Sequence, residues 1–86
     1  MAMSIDAAFG VVLRRLRDDK RLSQEELADI SGFHRTYLSQ LERGRKTPSL
    51  TTVERLSKAL GLQMHQFILL IEEEQTKPEI LQGERT

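Results

Sequence analysis

Apolar positions along this chain recur at helical spacing in five successive blocks. In the first, Phe9, Val12, Leu13 and Leu16 fall at i, i+3, i+4 and i+7, one face of a helix. Ser4 or Asp6 can cap its start, Arg14, Arg15, Asp18 and Asp19 take the opposite side, and the pattern frays near Lys20-Arg21. Ser23-Gln24-Glu25-Glu26 is a capping box, with Ser at the cap and Glu three residues later. It predicts a short second helix to about Ser31 that buries Leu27, Ala28 and Ile30, with Leu22 as a hydrophobic staple. Gly32 follows where a left-handed residue ends a helix.

The third block predicts a helix from His34 or Arg35 to Arg43, stopped by Gly44. With about 100° per residue and Leu38 at zero, Leu41 and Tyr37 lie at about 300° and 260°. Thr36, Ser39, Gln40 and Arg43 cluster within about 50° of the outward direction, and Arg35 flanks them. Glu42, at about 40°, borders the apolar stripe instead. Arg17, four residues after Leu13, borders the stripe of the first helix. A partly buried Arg17–Glu42 ion pair tying the two helices is the expectation. Such a tie sets the angle of the third helix more than it adds stability.

Arg45-Lys46-Thr47-Pro48-Ser49 is a short basic loop, and Ser49 can cap a fourth helix with Val53, Leu56, Ala59 and Leu60 inward and Gly61 at its end. A fifth helix is predicted from about Gln63 to Glu74, and its segment Phe67 to Ile71 is apolar on every side. A helix apolar all round must be covered all round. A second subunit is the simplest cover, with Phe67, Ile68 and Ile71 as the expected homodimer contacts. Residues 75–86 read as a polar tail, with Ile80 and Leu81 as its anchors. The expectation is an all-α, compact five-helix domain over residues 1–74, followed by that tail.

Composition narrows the function. A chain of 86 residues makes one domain. It holds no Cys, so disulfides and Cys-based zinc sites are excluded and a reducing compartment fits. No apolar run approaches the roughly 18 residues of a membrane span, and there is no signal-peptide pattern. A cytoplasmic protein with no membrane partner is expected. His34 and His65 lack metal-ligand spacing, no phosphate-binding glycine loop is present, and Glu72 to Glu74 reads as a solvated helix end. No enzymatic activity, cofactor or metal is expected.

The net charge is zero, but it is unevenly distributed. From Phe33 to Lys58 six basic residues face two acidic ones, a net +4, whereas Glu72 to Thr86 nets −3. The positive part lies on and just after the third helix. A helix fits the DNA major groove with its polar side chains against base edges. Arg35 can pair with guanine O6 and N7, Gln40 with adenine N6 and N7, and Thr36 can bond a base or touch a thymine methyl; His34, beside them, is a further candidate for a base contact. Gln24, at the start of the second helix, sits where backbone N–H groups favour a phosphate. Ser39, Arg43, Arg45, Lys46 and Ser49, with the Tyr37 hydroxyl, are the remaining candidates for phosphate contact. Each alone is an ordinary solvated side chain. The joint pattern of capped short helix, glycine turn, acid-free outer face and basic loop is what points to double-stranded DNA. The rival is a protein-interaction module, antitoxin-like or coactivator-like, that sets its apolar fifth helix on another protein.

Leu22 to Ala28, Ser31-Gly32, Tyr37 to Gly44, Thr47 to Leu50 and Leu56 to Gly61 together resemble the lambda-repressor-like, Cro-type (XRE) helix-turn-helix family. The resemblance spans roughly Phe9 to Leu70. It implies five helices, with the second and third as the DNA-binding unit, a phosphate contact at Gln24, and base contacts at Arg35, Thr36 and Gln40. It also implies the Arg17–Glu42 tie. His34 to Ser39 is further similar to the small controller proteins of restriction-modification systems, which implies a single-domain dimer that regulates its own operon.

Overall fold

Local capping sets where each helix begins. The computed structural model describes residues 3–77, which form α1 (Ile5–Asp19), α2 (Gln24–Ser31), α3 (Arg35–Glu42), α4 (Leu50–Leu60) and α5 (Met64–Thr76). Ser4 Oγ accepts from Ala7 N at 3.1 Å and Ser49 Oγ from Thr52 N at 3.0 Å. At α2 the capping box is complete: Ser23 Oγ accepts from Glu26 N at 3.0 Å, and Glu26 Oε1 accepts from Ser23 N at 2.8 Å. Caps of this kind contribute about 1 kcal/mol each. Among the described residues there is no strand, and no helix is long and apolar enough to cross a membrane. The fifth helix runs past the expected end at Glu74, and Ile80 and Leu81 lie outside the described residues.

The core forms where α1 lies across α5 and α3. Phe9 and Phe67 stack with ring centroids 5.2 Å apart and planes 7° from parallel. Leu13, Leu27, Leu38, Leu41 and Leu56 fill the space around them and are fully buried. Gly10 is what lets α1 approach α3. A Cβ there would stand 2.5 Å from the carbonyl oxygens of both Leu41 and Glu42. Arg15 Nη2 and Glu74 Oε1, 2.6 Å apart, join α1 to α5 at the rim. The hydrogen bond from Arg15 holds the Glu74 carboxyl below the usual carboxylate range, with Lys77 assisting and burial opposing.

Two expectations about burial need correction. Ile30 is 57% exposed. The buried residues of α2 are Leu27, Ala28 and Ser31. Their arc is centred near 45° from Leu27 at about 100° per residue, which leaves Ile30 outside it. The small Ser31 takes the inward place, its hydroxyl donating to Leu27 O at 2.7 Å. On α5, Phe67 and Ile71 are 0% and 3% exposed within a single subunit, so the homodimer contacts expected at both are replaced by contacts inside the fold. Only one side of α5 is left open, by Ile68 and Leu69 at 39% and 53% exposed. Ile68 borders a shallow apolar groove with Ile5, Pro48 and Leu50.

Candidate nucleic-acid interface

The link between α2 and α3 is short because Gly32 reverses the chain at φ +79°. Arg55 of α4 locks this reversal from behind. Its Nη2 donates to Ser31 O at 2.7 Å, and its guanidinium lies 4.0 Å from the centre of the Phe33 ring. Phe33 in turn packs on Tyr37 at 5.3 Å. With Leu38 and Leu41 fully buried beneath it, α3 is fixed on its inner side and free along its outer side. His34, Arg35, Thr36 and Arg43 are exposed, and Ser39 and Gln40 are half-buried between them. The one acid of α3, Glu42, turns inward.

Arg17 and Glu42 meet in a two-pronged pair. Arg17 Nε donates to Glu42 Oε2 at 2.6 Å and Nη2 to Oε1 at 3.0 Å. Their side chains are 12% and 5% exposed. Arg17 Nη1 also donates to Leu22 O at 2.7 Å, so one guanidinium ties α1, the loop before α2, and the end of α3. The hydrogen bond to Glu42 raises the Arg17 pKa against the opposing effect of burial. Gln24 joins the cluster, its Nε2 donating to Glu42 Oε1 at 3.0 Å and its Oε1 accepting from Arg35 Nη1 at 3.4 Å.

Two short helices at a glycine turn, the second presenting an acid-free outer face, is the geometry of a helix-turn-helix. The helix-turn-helix family model HTH_3 matches residues 13–67. The chain belongs to this helix-turn-helix family. It is 45% identical over 64 residues to the control protein C.BamHI of Bacillus amyloliquefaciens, a match covering 73% of this chain and 79% of that protein. Among solved structures it is similar to the clp gene regulator ClgR from Corynebacterium glutamicum, at TM-score 0.81 and 32% identity over 88% of this chain and 97% of that one. It is also similar to the restriction-modification controller protein C.Esp1396I, solved as a tetramer with its natural 35-base-pair operator, at TM-score 0.80 and 27% identity over 87% and 99% of the two chains. The Cro-type resemblance and the five-helix expectation are thereby borne out.

Within this helix-turn-helix the expected DNA-facing residues separate into two groups. Arg35, Thr36, Gln40, Ser39 and Arg43 share the outer side of α3, with His34 at its N-terminus. Arg45 and Lys46 are exposed in the loop that follows, which Thr47 Oγ1 anchors to Asp6 Oδ2 at 2.6 Å. Ser49 and Tyr37 are placed differently. Ser49 Oγ accepts from Thr52 N at 3.0 Å as the cap of α4 and lies 3.1 Å from Thr52 Oγ1. The Tyr37 hydroxyl lies 3.2 Å from the same Thr52 Oγ1, so Tyr37 braces α3 against α4 while Ser49 caps α4. Arg55 and Gly10 were missed by sequence reasoning. Arg55 counted only as one positive charge, and Gly10 sits inside a helical pattern where nothing nearby in sequence signals a close approach from α3.

Proposed function

We propose that this protein is a regulator of transcription that binds double-stranded DNA sequence-specifically as a homodimer, with one α3 in the major groove of each half of a two-fold-related operator. The observation that carries this reading is the outer side of α3. It is polar, cationic and free of acid, because the only carboxylate of the helix is held inward by Arg17. Arg35 at the start of α3 suits guanine O6 and N7, Gln40 five residues further suits adenine N6 and N7, and Thr36 suits a base edge or thymine methyl. Arg43, Arg45 and Lys46 supply the sequence-independent attraction to phosphates. Ile68, with Leu69, Ile5 and Leu50, is the apolar surface left for the second subunit. A controller-protein neighbour solved with its natural operator supports operator binding, and we extend this to the protein's own promoter in the cytoplasm.

The test is binding of the purified protein to a duplex spanning its own upstream region, at salt concentrations from 50 to 300 mM. Specific binding should fall with salt on a log–log slope of about −0.9 per phosphate neutralised. Equal, weak affinity for the upstream duplex and for scrambled DNA would overturn the reading and favour a protein-interaction module that uses the face around Ile68.

A further inference from the structure

The helix that carries the base-reading candidates is the one whose start its own sequence does not fix. A serine hydroxyl caps the first turn of α1, α2 and α4, and at α5 Gln66 Oε1 accepts from Gln63 N at 2.8 Å. α3 starts on His34, whose side chain makes no capping hydrogen bond. The helix before it is also incomplete. The last carbonyls of a helix lack partners within it and favour a cation nearby, yet the last turn of α2 holds no basic residue. Arg55 of α4 meets both needs. Its Nη2 donates to Ser31 O at 2.7 Å, at the C-terminal end of α2, and its guanidinium lies 4.0 Å from the centre of the Phe33 ring, just before α3. A Cβ on Gly32 would stand 2.5 Å from the same Nη2, so the guanidinium fills the space that glycine leaves.

We infer, on the reading of Arg35 and Thr36 as base contacts, that Arg55 is a positioning residue for the first turn of α3, holding it from α4 in place of a local cap. The remainder of α3 has other anchors. Leu38 and Leu41 are fully buried, and Glu42 is held by Arg17. Ahead of Leu38 the chain rests on Phe33 and Tyr37, which pack together at 5.3 Å. One face of α4 holds both. Arg55 takes the Phe33 ring, and Thr52, three residues earlier, has its Oγ1 3.2 Å from the Tyr37 hydroxyl. A cation on an aromatic face with a hydrogen bond at its edge fixes the ring in orientation as well as in place. Without Arg55, Phe33 and the uncapped turn after it are free to shift, and Arg35 and Thr36 shift with them. Gln40, set between Leu38 and Leu41, stays where it is. The division is within one helix: base reading at its start depends on α4, and base reading further along depends on the core.

The experiment is a position-by-position measurement of base discrimination. Duplexes enriched by the wild-type protein from a randomised double-stranded DNA library are substituted one base pair at a time. Affinities are measured well below each variant's unfolding temperature, as read by circular dichroism. Arg35→Ala, Thr36→Val and Gln40→Ala locate the position that each side chain reads. Arg55→Met, which keeps the apolar stem and removes the guanidinium, should lower discrimination at the Arg35 and Thr36 positions by about five-fold and leave the Gln40 position within about two-fold. Arg55→Lys restores a charge and a donor without the planar fork, so it should recover part of the loss. Lys58→Met removes a cation from the same helix, one paired with Glu54 at 4.0 Å, and should leave every position within about two-fold. If Arg55→Met weakens all duplexes equally and lowers the log–log salt slope by about 0.9, Arg55 is a phosphate ligand and the positioning role is wrong. If it lowers the urea midpoint and leaves discrimination unchanged, or reduces it equally at the Gln40 position, the contact serves stability alone and the positioning role is again wrong. In each of these cases base reading by Arg35 stands. If Arg35→Ala and Thr36→Val themselves weaken all duplexes equally, base reading fails and the positioning role fails with it.

Discussion

Arg17→Met is the perturbation whose consequences the structure defines most fully. It removes the donors 2.6 and 3.0 Å from the Glu42 carboxylate and the donor 2.7 Å from Leu22 O. Glu42, 5% exposed, is left with the single hydrogen bond from Gln24. Leaving one member of a buried pair uncompensated costs about 3–5 kcal/mol. The Arg17 side is 12% exposed, so water reaches part of the site, and the low end, about 3 kcal/mol, is the expectation. Marginal stability of about 0.05–0.15 kcal/mol per residue gives a domain of this length only about 4–11 kcal/mol in all. The double variant Arg17→Met/Glu42→Leu removes both charges and keeps apolar volume, so it should recover most of the loss and lie within about 1–2 kcal/mol of wild type. Urea unfolding followed by circular dichroism at fixed protein concentration reads both. With a slope near 1 kcal/mol/M, the single variant should shift its midpoint down by about 3 M and the double variant by at most about 1–2 M. The fixed concentration matters because a dimer's apparent stability changes with it. Equal midpoints for the single and double variants would refute the reasoning, since Glu42 would then carry no penalty when unpaired.

Three further outcomes follow from other parts of the fold. Gly10→Ala should destabilise by about 1–3 kcal/mol, against the roughly 1 kcal/mol that alanine gains over glycine in an open helix, because the new Cβ meets two backbone carbonyls at 2.5 Å; a raised thermal midpoint would show that α1 and α3 have room to part. Glu74 has a lowered folded pKa, so the stability it contributes is present above its unfolded value, about 4.3, and is lost as pH falls through the folded value. Glu74→Gln should therefore cost a few tenths to about 1 kcal/mol at pH 7, held down by the exposure of Arg15, and progressively less as pH falls through the folded value; a pH-independent difference in unfolding midpoint would contradict the tie. Ile68→Glu should leave the helical signal intact and convert the sedimenting species to one subunit, whereas a dimer of unchanged mass would place the interface elsewhere.

Much of this architecture was legible because its signals are local. Ser23 with Glu26, Gly32, Gly44, Ser49 and Gly61 act through backbone groups one turn away, and each stands at the helix end its spacing indicated. The stripe Phe9, Val12, Leu13 is equally local, and all three residues are buried. Errors arose where burial depends on a neighbour rather than on the helix itself. Ile30 is an apolar residue on an eight-residue helix whose inward arc is chosen by the packing of α3 and α4. Phe67 looked uncovered because its partner, Phe9, is more than fifty residues away in sequence. At the interface, the helix face bearing Arg35, Thr36 and Gln40 followed from periodicity, but the contact of Gln24 with both Glu42 and Arg35 needs three elements in register.

Hydroxyl-radical footprinting of the protein on its own upstream region addresses the DNA-binding mode most directly. Two recognition helices related by a two-fold axis should protect two symmetric stretches with centres about 10–10.5 base pairs, or a multiple, apart. Absence of protection, or a single asymmetric stretch that persists at saturating protein, would contradict a homodimer reading two half-sites through α3.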